Sequence, residues 1–280
     1  MSFSSEVKEG LSKINNYNSD ILEAELLGYF ISGNLIEKNE KFEFITENEF
    51  NIEHLYKILY NLNINYEPEI RGKCFIAQIN ESDIKKIRDK YKNIKGENRK
   101  NIVKGAFLGA GSINNPEKNY HLEIIFLIEL YSDFIKNICL EYGINFKKIK
   151  VKDKYQLYLK ESDEISKFLA LIGANLSVLK FEDIRVIKEM KNKVNRTVNC
   201  ETANLNKTIN ASIRQIEDIK LIKLKKKFDK MPKELQIIAN LRLKNPELSL
   251  KDLGQMLEPK LNKSAINRRF AKIHEIAEDK

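Results

Sequence analysis

The first 180 residues repeat themselves, and that repetition limits the fold more than any other feature of the chain. Residues 24–34 (AELLGYFISGN) and 104–113 (KGAFLGAGSI) are apolar helical stretches with small residues four apart. Those residues are Gly28 and Ser32 in the first, Gly105 and Gly109 in the second. After each comes a polar turn (37–41; 114–119) and then a strand-like run rich in Phe and Ile (41–46; 121–128). Apolar residues recurring at three and four predict helices over 52–62 and 132–142. A strand pair follows in each copy, 64–70 with 74–79 and 145–151 with 156–159. Each copy closes with a helix opened by Ser82 or Ser162 and early acids, which helix N-termini favour. With a partner strand counted for each Phe- and Ile-rich run, the order α-β-β-α-β-β-α is expected twice, over about 20–97 and 98–180. A glycine inside a helix costs about 0.5–1 kcal/mol relative to alanine. Four small residues on two related helices need a reason, and close backbone packing supplies one. The expected arrangement is a tight two-helix seam on a pseudo-twofold axis, flanked by two β-saddles.

Charge divides the chain differently. Of 49 Lys/Arg and 40 Asp/Glu, residues 1–180 hold 26 of each, so the whole excess of +9 falls in residues 181–280. A neutral module followed by a basic one points to a polyanion partner, because Lys/Arg contacts to phosphates release counterions. The alternative is a solvated face that happens to be basic.

From about residue 181 to 227 there is neither glycine nor proline. Residues 195–206 (NRTVNCETANLN) are polar and read as a loop, and 208–228 as a long helix with Ile209, Ile213, Ile216 and Ile219 on one side. It ends KLIKLKKK, where Lys225, Lys226 and Lys227 suit the dipole of a helix C-terminus and phosphate contact alike.

The last fifty residues are helical. Pro232 opens a helix running to about Lys244, before Pro246. Ser249 caps a helix over 250–257, and Asn262 or Lys263 begins a final one reaching about Ala277. This order matches a helix-turn-helix. In the final helix Ile266, Phe270 and Ile273 form a stripe to dock on Leu250, Leu253 and Leu257. The opposite side carries Ser264, Arg268 and Lys272, flanked by Asn267 and Arg269. A recognition helix needs short polar groups near its N-terminus for base edges, with Arg and Lys beyond them. The candidate DNA-binding set is Ser249, Lys263, Ser264, Asn267, Arg268, Arg269 and Lys272, with Lys225, Lys226 and Lys227. A plain three-helix bundle with a charged face is the competing reading.

Three scattered cysteines (Cys74, Cys139, Cys200) cannot form a disulfide framework, and neither they nor His54, His121 and His274 have metal-ligand spacing. No cofactor and no metal is expected. Residues 1–5 (MSFSS) lack the basic and apolar parts of a secretory signal, and no run approaches the roughly 18–20 apolar residues of a membrane span. The expectation is a soluble cytoplasmic protein, associated with the nucleoid if its partner is DNA.

The two small-residue helices resemble degenerate copies of the LAGLIDADG motif of homing endonucleases, whose fold is this same duplication. Taken whole, the chain resembles the WhiA family of bacterial transcriptional regulators. The resemblance rests on MSFSSEVKEGL, GAFLGAGSINNPEKNYHLE, NCETANLNKTINASIRQIEDI and the segment LKDLGQML…LNKSAINRRFAKI. It implies an α+β fold: a duplicated LAGLIDADG-like N-terminal domain over 1–180 and a small all-α helix-turn-helix domain over 229–280, joined by a basic helical linker over 181–228. It also implies a sequence-specific DNA-binding regulator of cell division and chromosome segregation, and of sporulation where the organism sporulates. Double-stranded DNA is the partner implied, with regulatory or division proteins at the N-terminal domain. In the endonuclease pattern each motif helix ends in an acid that binds the divalent metal. Alignment on Gly28 and Gly105 puts Gly33 and Ala110 there, and neither can ligate a hard cation. The next acids, Glu37 and Glu117, read as turn residues. No catalytic residue is therefore expected and the chain reads as no enzyme. Two rivals stand beside this: an active or nicking endonuclease, and a scaffold whose basic tail binds RNA or acidic partners.

Overall fold

The computed structural model describes residues 2–14, 17–38, 41–90 and 96–279. The chain forms two compact units, Met1–Glu189 and Met190–Lys280.

In the first unit, helix α1 (Phe3–Ser12) precedes the duplication. The first copy then runs α2 (Ser19–Ile31), β1 (Leu35–Lys38), β2 (Lys41–Thr46), α3 (Glu49–Asn61), β3 (Tyr66–Arg71), β4 (Cys74–Asn80) and α4 (Glu81–Asp89). The second repeats it as α5 (Arg99–Ala110), β5 (Gly111–Ile113), β6 (Leu122–Phe126), α6 (Glu129–Glu141), β7 (Lys147–Val151), β8 (Lys154–Leu159) and α7 (Ser162–Leu171). Each copy folds an antiparallel four-stranded sheet of the same order, β1-β2-β4-β3 and β5-β6-β8-β7. The α-β-β-α-β-β-α reading holds twice over.

Three details differ from expectation. The motif helices end earlier than 34 and 113, because Ser32 and Gly111 turn to extended backbone. Glu37 lies in strand β1 opposite Phe42, so it is not a turn residue. Residues 39 and 40 of that expected turn lie outside the described residues. Helix α1 was not anticipated at all. Ser2 caps it, and Phe3, Val7 and Leu11 place an apolar stripe in the same core as both copies.

A single helix, α8, spans Asn175–Leu224. The polar stretch 195–206 is therefore helical and not a loop. Asparagine costs a helix only some tenths of a kcal/mol per residue, and no glycine or proline interrupts this stretch. In the second unit the face of α8 that packs inward carries Ser212, Gln215, Ile219 and Ile222. Of the isoleucines read as sharing one side, Ile219 is on that inner face, while Ile209 and Ile213 are 41% and 48% exposed. The rotation follows from polar demand, because the inner face must satisfy a buried arginine described below. Helices α9 (Lys233–Lys244), α10 (Leu250–Gln255) and α11 (Lys263–Glu278) complete this unit around their own core. Among the described residues no helix is long and apolar enough to cross a membrane.

Candidate nucleic-acid interface

The second unit holds its final helix by a built turn. Ser249 caps α10 through its Oγ, which accepts from the Asp252 amide and donates to the Asp252 carboxylate at 2.6 Å. Asn262 caps α11 by accepting from the Ala265 amide at 2.9 Å. Between them the Leu261 amide donates to the Gly254 carbonyl at 3.0 Å. Ile266, Phe270 and Ile273 are buried in one core with Leu253 and Leu257, while Leu250 packs partly buried against it. That packing leaves Lys263, Ser264, Asn267, Arg268 and Lys272 exposed.

Several candidates are already engaged within the unit. Arg269 pairs with Glu234 of α9 at 2.9 Å. Ser249 spends its hydroxyl on the cap. Lys225 donates to the carbonyls of Ala277 and Asp279, both at 2.9 Å, and Lys227 to that of Asp279 at 3.2 Å. These two lysines close the C-terminal end of α11, where a helix carries partial negative charge. That end lies some 24 Å from the first turn of the helix at 1.5 Å per residue. His274 adds a contact to Asp218 of α8 at 3.0 Å.

Sequence reasoning missed Arg242. It is 1% exposed, donates to Gln215 Oε1 at 2.9 Å and to the Leu248 carbonyl at 2.6 Å, and lies over the Phe270 ring. Burial lowers its guanidinium pKa, and the nearby Glu247 charge works the other way. Ser212 donates to the Pro246 carbonyl beside it. The signal was present: Leu235, Ile238, Ala239 and Arg242 share one helical face, so the arginine falls on an apolar stripe. Arg242→Lys keeps charge but loses the planar fork. It is expected to cost about 1–3 kcal/mol in thermal unfolding of the second unit, and an unchanged transition would remove the arginine from the fold's support.

In the first unit, α2 and α5 meet along their small faces. A Cβ at Gly28 would overlap the Ile102 carbonyl and stand 2.5 Å from the Ala106 nitrogen. One at Gly105 would overlap the Glu25 carbonyl, and one at Gly109 the Ser32 hydroxyl. Tyr29 donates to Asn51 at 2.6 Å, and Asn51 donates to the Leu108 carbonyl at 2.7 Å, which ties the copies together. Beside the seam, buried Glu25 meets His54 Nε2 at 2.7 Å and Lys104 Nζ at 3.1 Å. Burial pushes the Glu25 carboxyl up, but the His54 hydrogen bond and the Lys104 charge outweigh it and hold the pKa below its usual range.

The helix ends offer no ligand for a divalent cation. Gly33 donates its amide to the Ile125 carbonyl at 2.8 Å, and a Cβ there would fall 2.9 Å from that same oxygen. Ser32 donates to the Tyr29 carbonyl, and Asn34 to that of Gly109. Ala110 carries only a methyl group. Glu37 is exposed on β1, and Glu117 sits in a turn held by Asn115. Among the described residues no three His, Cys, Asp or Glu side chains are grouped to hold a metal ion. This donor set does not fit the hard cation that the motif pattern implies.

Residues 99–191 match the family described as the WhiA LAGLIDADG-like domain, and residues 194–277 match the WhiA C-terminal HTH domain. A probable cell division protein WhiA from Clostridium acetobutylicum is 40% identical over 311 aligned positions, covering all of this chain and 98% of the relative. The chain belongs to the WhiA family. A WhiA relative from Clostridium tetani is 38% identical with the same coverage. The crystal structure of full-length DUF199/WhiA from Thermotoga maritima aligns over 99% of this chain and 98% of that one, at TM-score 0.64 and 28% identity. The LAGLIDADG-like match thus falls on the second copy of the duplication and the HTH match on the second unit.

Proposed function

We propose that this protein is a sequence-specific regulator of transcription that binds duplex DNA through α10 and α11 and does not cleave it. One observation carries the reading: the exposed face of α11 presents Ser264, Asn267, Arg268 and Lys272 opposite a buried Ile266–Phe270–Ile273 stripe. That is the arrangement a helix needs to sit in a major groove. The relatives' name as cell division proteins supports a role in division, and the family resemblance extends this to chromosome segregation and sporulation. The working division is a scaffold over 1–180 that meets regulatory or division proteins, a helical linker over 181–228 and the DNA-binding helices over 229–280. Bound to DNA, the protein works in the cytoplasm at the nucleoid. Of the basic candidates, Lys263, Arg268 and Lys272 are the primary contacts, and Lys226 is an accessory one. Lys225, Lys227, Arg269 and Ser249 act first by holding α11 and α10 in place.

The test is selection of a duplex from a randomised pool by the full-length protein, followed by titration of that duplex and a scrambled one. Arg268→Ala is expected to weaken the selected duplex by about 1–3 kcal/mol and to relax preference at one base pair. Equal weakening on both duplexes would move the reader to Ser264 or Asn267. Incubation with supercoiled plasmid and magnesium is expected to leave the plasmid intact, and nicking would overturn the non-enzymatic reading.

A further inference from the structure

The basic excess of the second unit is not all on α11. Arg196, Lys207 and Arg214 of α8 stand eleven and seven residues apart, so at 100° per residue they fall within about 20° of one line. All three are exposed, and among the described residues none has an ion-pair partner. The only acid between residues 190 and 216 is Glu201, which lies about 140° round the helix from Arg196. An unneutralised line of cations on a helix otherwise rich in asparagine serves no folding purpose.

The line also leads somewhere. Lys207 opens onto a cavity of about 380 Å³ that it shares with Thr208, Ser249, Lys251 and Lys263. Lys207, Lys251 and Lys263 are exposed and come from three helices, and Lys263 stands one residue before Ser264 in the first turn of α11. Buried Arg242 lies at the cavity wall and adds its charge. Three ammonium groups converging beside the end of a recognition helix suit a phosphodiester of the strand that borders the groove.

We propose that this flank of α8 is a second DNA-contact surface, a phosphate track that continues from the Lys207–Lys251–Lys263 cavity through Arg196 and Arg214. It deepens the reading of the protein as a duplex-DNA binder and rests on it. From Arg196 to Arg214 the helix rises about 27 Å at 1.5 Å per residue. That matches about eight base pairs of duplex at 3.4 Å each. The track carries no base identity, so it lengthens the footprint without changing the sequence read.

The experiment uses the full-length protein and the duplex it selects from a randomised pool. Arg196→Gln, Lys207→Gln and the double variant are titrated at several salt concentrations beside Lys191→Gln, which lies on another side of α8. Each track substitution is expected to reduce the slope of log K against log salt by about 0.9, and the pair by about twice that. Lys191→Gln is expected to leave it unchanged. In a Cys74→Ser background, Cys200 is the exposed thiol, one turn from Arg196 on the track side, and Cys139 is buried. Saturating duplex is expected to slow alkylation of Cys200 several-fold. Unchanged slopes, or an alkylation rate indifferent to bound duplex, overturn the track. Equal protection by transfer RNA overturns its assignment to duplex DNA. If the unsubstituted protein selects no duplex, the DNA-binding reading itself fails. If it does, and Arg268→Ala weakens it while the track variants do not, only the track fails.

Discussion

Glu25→Gln is expected to destabilise the first unit by about 3–5 kcal/mol, the range for breaking one side of a buried ion pair. Glu25 is 2% exposed, and its carboxylate is the shared partner of Lys104 and His54. The amide keeps the shape and removes the charge, so Lys104 is left buried without a counter-charge. Acid should reproduce the loss. The folded-state pKa of Glu25 is depressed, so its contribution is fully present above the ordinary carboxylate range and disappears as pH falls through the folded value. Thermal unfolding of the wild-type chain and Glu25→Gln as a function of pH checks both statements. The two melting curves should converge at low pH, and a constant gap between them would remove the carboxylate from the account.

Gly105→Leu should have an effect of similar size by a different route. Its Cβ would overlap the Glu25 carbonyl and stand 3.1 Å from the Gly28 Cα, so backbone has to move before any side chain can be placed. Overpacking usually costs about 1–3 kcal/mol, and this site belongs at or beyond the upper end because no flexible group can yield. Gly28→Leu meets the Ile102 carbonyl in the same way. Amide exchange in α2 and α5 should speed up in both variants, while exchange in α9 and α11 should not change. Unchanged protection in α2 and α5 would mean that the two helices do not depend on close approach.

The duplicated fold was legible because its signals are local. Strand alternation, polar turns and small residues four apart each declare themselves within a few residues, and the repeat then doubles every signal. The final helix was legible for the same reason, since Ile266, Phe270 and Ile273 mark its inner side without reference to any partner. What the sequence hid is pairing across distance. Glu25 and Lys104 are 79 positions apart on two helices that read as apolar, and neither charge predicts the other. The inner face of α8 is not legible from its isoleucines alone: Ile219 is buried, but Ser212 and Gln215 face inward beside it to meet the Pro246 carbonyl and Arg242, while Ile209 and Ile213 are exposed. The asparagines of 195–206 were read as loop from composition, although nothing in that stretch breaks a helix. Helix α1 had a capping serine and Phe3, Val7 and Leu11 at four-residue spacing, and could have been found.

Gly33 gives the absence of a metal-binding acid a structural ground. A carboxylate can be placed at a position only where the backbone leaves room for a side chain. Here the glycine is pressed against the Ile125 backbone, where even a Cβ is too close, and its amide is committed to the Ile125 carbonyl. Aspartate at that position would first have to push β6 away from the end of α2. Ala110 already carries a Cβ, which is itself buried. The two halves of the repeat are therefore unequal in how far they stand from a motif with an acid in each helix. The packing around Gly33 ties that position to glycine for a structural reason that is independent of metal binding.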